Sequence, residues 1–165
     1  MDNPEEVIAA LEEQERQLVL SRFENADAWS LGRRLVDLAT ERGLGITIDI
    51  RRHGHQLFHA ALPGTTPDND IWIDRKIRVV NRFGESSFLV GRRLAAKGRV
   101  FDAAQGVDPA THAAAGGSFP LRIRDVGPIG TVTVSGLPQA DDHALVVEAL
   151  TAHLQAQADA GGTAR

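Results

Sequence analysis

The spacing of apolar residues changes several times along the chain, and each change marks an element. Over residues 5–21, Ile8, Leu11, Leu18 and Val19 lie near one stripe among Glu, Gln and Arg, which predicts an amphipathic helix. A second helix is predicted from Asn25, a suitable N-cap, with Ala28, Leu31, Leu35 and Leu38 on one side and a stop at Gly43. The period then shortens to two. "GITIDIRR" (45–52) and "QLFHAALPG" (56–64) flank the Gly-centred break "HGH" and read as a β-hairpin. "PGTTPDND" is a loop whose Pro67 suits the first turn of a helix over 68–83 that ends at Gly84. A further helix follows in "SSFLVGRRLAAKG". "DPATHAAAGG" predicts a short one, capped by Asp108 and closed by Gly116-Gly117. Two more strands, "SFPLRIR" and "IGTVTVSG", are joined by "DVGP"; a last helix spans 139–157, and a further short strand is expected near 99–102. Hairpin pairs interrupted by helices argue for an α+β fold, an antiparallel sheet with helices packed on it, because a doubly wound parallel sheet would alternate strand and helix.

Length and composition narrow this without changing it. A chain of 165 residues suits one domain. The division expected is an N-terminal helix at 1–21, one domain at 22–157 and a frayed tail at 158–165. With no cysteine, disulfides, thiol nucleophiles, iron–sulfur clusters and Cys-ligated zinc are excluded. The acidic, amphipathic start lacks the basic, apolar pattern of a signal peptide, and no apolar run approaches a membrane span, so the expectation is a soluble cytoplasmic protein with no membrane partner.

Charge does change the picture. Residues 51–99 carry ten basic and four acidic side chains, whereas 1–50 carry five and eleven, and 100–165 three and seven. A basic middle can face phosphates or carboxylates, or be a solvated helix face balanced by acidic neighbours. Nucleic acid is disfavoured, because there is no tyrosine and there are only eight aromatic residues for stacking.

The chain also resembles a known family. "GGSFPLRIRDVGPIGTVTVSGLPQADDHALV" is similar to the C-terminal signature of the GlcG/HbpS-like, haem-degrading-domain family. "IDIRRHGHQLFHAALPGTTPDNDIWIDRK" and "NRFGESSFLVG" resemble its UPF0303 branch more specifically. The resemblance covers about residues 22–155. It implies a profilin-like α/β sandwich around a five-stranded antiparallel sheet, assembly into homo-oligomers, and haem or another tetrapyrrole as ligand; haem degradation is the activity behind the family's name. The family's Lys-Ala-x-Thr-Ala helix motif reads Lys76-Ile77-Arg78-Val79-Val80 here, with only the lysine kept.

Several residues are candidates for chemistry. Winding 72–83 as a helix puts Trp72, Ile73, Ile77, Val79, Val80 and Phe83 on one arc of about 160°, with Lys76 near its middle. A lysine there must bind an anion, snorkel past the core edge, or pair with an acid such as Asp49. His143 falls on the apolar stripe of the last helix, near an N-terminus that favours a neutral imidazole; a satisfied core histidine is the plainer reading. His53, His55 and His59 are close in sequence but separated by a turn, with no second ligand cluster, so no metal site is expected. His59 or His112 is the candidate donor to a haem iron. Asp141 and Asp142 point about 100° apart on a helix and are explained as acids in a first turn. No nucleophile elbow, phosphate-binding Walker loop or zinc-protease helix is present.

Three readings follow. The first is an oligomeric binding domain whose pocket lies between the Lys76 helix and the Ser135-Gly136 turn, holding an anionic, partly apolar ligand with Lys76, Arg51 or Arg52 on its carboxylates. The second is a haem-degrading enzyme using that pocket. The third is a non-catalytic adaptor or structural protein whose helices make subunit contacts.

Overall fold

The computed structural model describes residues 3–162. Its elements are α1 (Pro4–Gln17), α2 (Asn25–Arg42), β1 (Thr47–Arg52), β2 (His55–Ala61), α3 (Pro67–Phe83), α4 (Ser87–Ala96), a 3-10 turn (Ala103–Gln105), β3 (Ser118–Ile123), β4 (Gly127–Ser135) and α5 (Gln139–Gly162). The strands form one antiparallel sheet of order β2-β1-β4-β3.

Local chemistry explains most boundaries. Pro67 opens α3, where the Asn69 side chain accepts from the Thr66 N–H at 2.9 Å. The helix stops at Gly84 in the left-handed conformation. The helix α2 begins one residue earlier than its sequence suggests, with Glu24 at the N-cap and Asp27 accepting from its N–H at 2.7 Å. His53 and Gly54, both at positive φ, make the two-residue turn between β1 and β2, as the twist of a hairpin requires.

Alternation along the strands gives the sheet two unlike faces. Ile48, Ile50, Phe58, Phe119, Leu121, Val132 and Val134 join Leu31 and Leu35 of α2 and Leu145, Val146, Ala149 and Leu150 of α5 in one apolar cluster. The opposite face presents Thr47, Asp49, Ser118, Thr131, Thr133 and Ser135, all buried. It is roofed by α3, whose Ile73, Ile77, Val79 and Val80 are buried outside that cluster. The helix α4 closes the β3 end between α3 and α5, and α1 packs on α4.

Four expectations need correction. Among the described residues the sheet has four strands, not five, and residues 99–102 form none. On the outer edge of β3 the chain supplies only a parallel bridge at Leu20, whose N–H donates to Arg122 O at 2.8 Å and whose carbonyl accepts from Arg124 at 2.9 Å. Accordingly α1 ends at Gln17 and does not run on to residue 21. The stretch 108–117 is a turn followed by irregular chain: Ala113 N–H donates to Arg75 O at 3.1 Å, and a side chain at Gly91 would collide with Ala114 O. Tertiary pinning there overrides a local helix signal. Finally, α5 continues to Gly162, so 158–162 are helical; the remaining tail, 163–165, lies outside the described residues.

The Ser135-Gly136 turn is set by close approach. Gly136 has φ 148°, and a Cβ there would strike the Gly45 carbonyl oxygen. Gly136→Ala is therefore expected to destabilise the protein by about 1–3 kcal/mol or more in urea unfolding. Gly161→Ala, with nothing within 4 Å of its would-be Cβ, should change stability by less than about 1 kcal/mol.

Candidate functional site

Lys76 sits where the helical winding puts it, with 3% of its surface exposed. Its Nζ donates to Asp142 Oδ2 at 3.0 Å and to the Val134 carbonyl at 3.0 Å. Asp142, 1% exposed, also accepts from the Leu137 N–H at 3.0 Å. The lysine's partner is thus Asp142 and not Asp49, which is held instead by Arg51 and Gln56. Burial pushes the Lys76 pKa down and the Asp142 pKa up, and in each case the opposite charge works against the shift. The backbone makes room for the pair at Gly117, where φ is 130° and a Cβ would meet Lys76 Nζ and Val134 O.

Beside this pair a cleft of about 420 Å³ is lined by Lys76, Asp142, Ser135, Gly136, Asn69 and Trp72. The structure therefore brings together Lys76, Ser135 and Gly136, but Lys76 enters already neutralised. The other candidates lie elsewhere. Arg51 pairs with Asp49 and Asp74 and lines a separate cleft with Thr131 and His53. Arg52 reaches the Phe23 carbonyl at 3.4 Å, and His59 Nε2 contacts Asp70 at 2.8 Å. His143 faces away from the Lys76 cleft: its Nε2 meets Gln14 of α1 at 2.8 Å, and its ring lies 4.9 Å from Phe88 and 6.0 Å from Phe119. Desolvation lowers its pKa to about 4. It is a neutral core histidine whose Nδ1 has no hydrogen-bond partner among the described residues.

A second cleft, of about 520 Å³, adjoins the first and shares Trp72, Ala115 and Gln139 with it. Its walls include Trp72, Phe101, Leu94 and Val100, and it takes in Arg75 of α3, Arg92 of α4, Arg99 and His112. Phe101 is held by stacking on Phe83 at 5.8 Å. No residue lining it is acidic. Arg75 lies over the Trp72 ring at 4.5 Å and donates through Nη2 to Pro109 O at 2.8 Å, while its Nε is buried without a hydrogen-bond partner among the described residues. Arg99 donates to the neutral amide of Gln105 at 2.7 Å. The Arg92 side chain makes neither a hydrogen bond nor an ion pair among the described residues and lies over the Phe88 ring at 5.8 Å. His112 bonds Thr111 through Nδ1 at 2.9 Å, leaving Nε2 unengaged among the described residues. Among the described residues no group of three His, Cys, Asp or Glu could hold a bare metal ion, and no helix is long and apolar enough to cross a membrane.

Of this second cleft the sequence indicated only His112 and the basic excess of the middle third. Which arginines lack acidic partners depends on long-range contacts: Arg93 pairs with Glu12 and Glu85, whereas its neighbour Arg92 does not. Asp142 was discoverable, since it lies three, four and seven residues before the buried Leu145, Val146 and Ala149 on the same stripe.

Two outcomes are expected. Lys76→Met strands a buried carboxylate and should cost about 3–5 kcal/mol in urea unfolding; adding Asp142→Asn should recover part of that loss. His143 has a depressed folded-state pKa, so its contribution is complete above its unfolded value near 6.5 and is lost as pH falls through about 4. Relative to His143→Phe, the wild type should lose about 3 kcal/mol across that window. The comparison cancels the opposing effect of the raised Glu15, Asp49 and Asp142 pKa values.

Comparison with known proteins agrees with this architecture. The model of the family described as haem degrading protein HbpS-like matches residues 23–151. A UPF0303 protein of Streptomyces coelicolor is 61% identical over 143 residues, covering 87% of this chain and 90% of that one. A UPF0303 protein of Edwardsiella ictaluri is 49% identical over 150 residues, covering 91% and 96%. Among solved structures, the Ybr137w protein superposes with a TM-score of 0.81 at 32% identity, covering 91% of this chain and 88% of that one. A PduOC–haem complex superposes with a TM-score of 0.66 at 18% identity, covering 79% and 94%, a likeness of fold. With its α+β sandwich and this match over most of its length, the chain belongs to the HbpS-like haem-degrading protein family, in the UPF0303 branch.

Proposed function

We propose that the protein binds haem or a related tetrapyrrole in the arginine-lined cleft between α3, α4 and the segment 99–115. The observation that carries this reading is the combination of three arginines without acidic partners among the described residues and an aromatic wall of Trp72 and Phe101 in one cleft. Its volume of about 520 Å³ falls in the range of roughly 300–1,000 Å³ usual for small-molecule sites. The apolar walls suit a macrocycle, the guanidinium groups suit propionate carboxylates, and the free Nε2 of His112 is a donor suited to iron. The orphaned Arg75 Nε is a buried donor in want of an acceptor, which fits an anionic occupant. A bound haem would supply a redox-active iron; the residues here bind and orient it. The family match and the fold shared with a haem complex support the same reading.

In this reading Lys76, Ser135 and Gly136 shape the neighbouring wall. Lys76 and Asp142 fix α3 against α5, so that Trp72 keeps its place between the two clefts.

Titration of the purified protein with haemin should shift and sharpen the Soret band at low micromolar concentration. His112→Ala should move the band position, while His59→Ala should leave it unchanged. An unaltered Soret spectrum at micromolar haemin would sink the proposal. Spectral decay with a reductant, accompanied by iron release, would add haem turnover to binding.

A further inference from the structure

We infer that carboxylate contacts, and not the contact of His112 with iron, supply most of the affinity of this cleft, so that its ligand class is the dicarboxylic tetrapyrrole with or without a metal. The inference rests on the cleft reading above and concerns which groups supply the affinity.

The balance of donors in the cleft decides the matter. Three guanidinium groups enter it from three places: Arg75 on α3, Arg92 on α4 and Arg99 beyond the end of α4. Their present partners are one backbone carbonyl, one neutral side-chain amide and a phenyl face. Several arginines elsewhere find carboxylates, although Arg52, Arg78 and Arg82, like Arg75, donate to backbone carbonyls. Arg42 pairs with Glu148, Arg51 with Asp49 and Asp74, Arg93 with Glu12 and Glu85, and Arg122 with Glu15. Leaving three arginines uncompensated around one apolar recess raises the electrostatic potential there, and a hydrogen bond from guanidinium to carboxylate is about twice as strong as a neutral one. Against these stands a single imidazole at the cleft, His112, whose ring is edge-on to Phe101 at 6.4 Å and tied through Nδ1 to Thr111.

The remaining walls are indifferent to a metal. Trp72 and Phe101 offer aromatic ring surface, and Val100, 82% exposed, offers an apolar surface that a macrocycle would cover. Carboxylates thus set affinity and orientation, and Arg92 and Arg99 are the specificity-determining residues. Arg75 is already held in place by Trp72 and Pro109.

The test uses Trp72 as its reporter. The chain has two tryptophans, and the other, Trp29, lies on α2 against Phe58, so Trp29→Phe leaves a single fluorophore in the cleft. Protoporphyrin IX should quench that fluorescence with an affinity within about threefold of haemin. Its dimethyl ester, measured in the same detergent, should bind at least about tenfold more weakly. Arg92→Gln and Arg99→Gln should each weaken protoporphyrin binding about tenfold, Arg92→Lys should recover part of the loss, and added salt should weaken the acid far more than the ester. Ester binding as tight as that of the free acid would overturn the inference, as would porphyrin binding about a hundredfold weaker than haemin. In both of those cases haem binding itself would stand. If neither haemin nor protoporphyrin quenches Trp72, or a mononucleotide does so in their place, the cleft reading falls together with the inference.

Discussion

A lysine and an aspartate, each almost wholly inside the protein, meet at 3.0 Å where α3, β4 and α5 converge. Removing two charges from water costs several kcal/mol per ion unless geometry and additional hydrogen bonds compensate. Both compensations are present. Lys76 gains the Val134 carbonyl, and Asp142 gains the Leu137 N–H. The pair constrains much around it. Gly117 has no room for a side chain, α5 must begin immediately after the turn at 136–138, and α3 is fixed against the end of β4. A hydrophobic pair could stabilise as well, but it would not specify position so narrowly.

That constraint matters because the sheet has one apolar and one polar buried face. On the apolar side, packing of Ile, Val, Leu and Phe against α2 and α5 makes a core that tolerates small adjustments. On the polar side Thr47, Asp49, Ser118, Thr131, Thr133 and Ser135 lie under the apolar stripe of α3. Some satisfy each other, as Ser118 and Thr133 do at 2.8 Å. Directional contacts such as Lys76–Asp142 and Arg51–Asp74 therefore decide how α3 sits. Once α3 is set, Trp72 and Arg75 are set with it.

The candidate cleft is a consequence of that placement combined with an irregular segment. Between α4 and β3 the chain winds through a 3-10 turn and a second turn, tied to α3 by Arg75, Arg78 and Arg82 donating to the carbonyls of Pro109, Thr111 and Gly106. These bonds spend arginine donors on neutral acceptors, so the positive charge of Arg75, which lines the cleft, is not cancelled there by a carboxylate. Loops placed by a rigid scaffold are common sites of function, and this one carries Phe101 and His112 to the arginines.

The sequence alone determined the five long helices and the four strands and their order, but not the irregular segment between α4 and β3. Alternating Ile and Thr in 45–52, the apolar stripe of 68–83 with Lys76 inside it, and Gly43 and Gly84 as helix stops are local signals that need no partner to be read. It also determined the family, through long motifs around 45–76 and 116–146, and the concentration of basic charge between 51 and 99. Tertiary structure decided which charge met which. Asp142 is sixty-six residues from Lys76, and no local period links them. It decided too that 108–117 is a turn and irregular chain and not a helix, because the cost of losing a short helix is small beside hydrogen bonding to α3 and close packing on Gly91. The third decision was which arginines stay unpaired. Ion pairing over such separations depends on where the chain returns in space, and a one-dimensional pattern of charges does not contain that information.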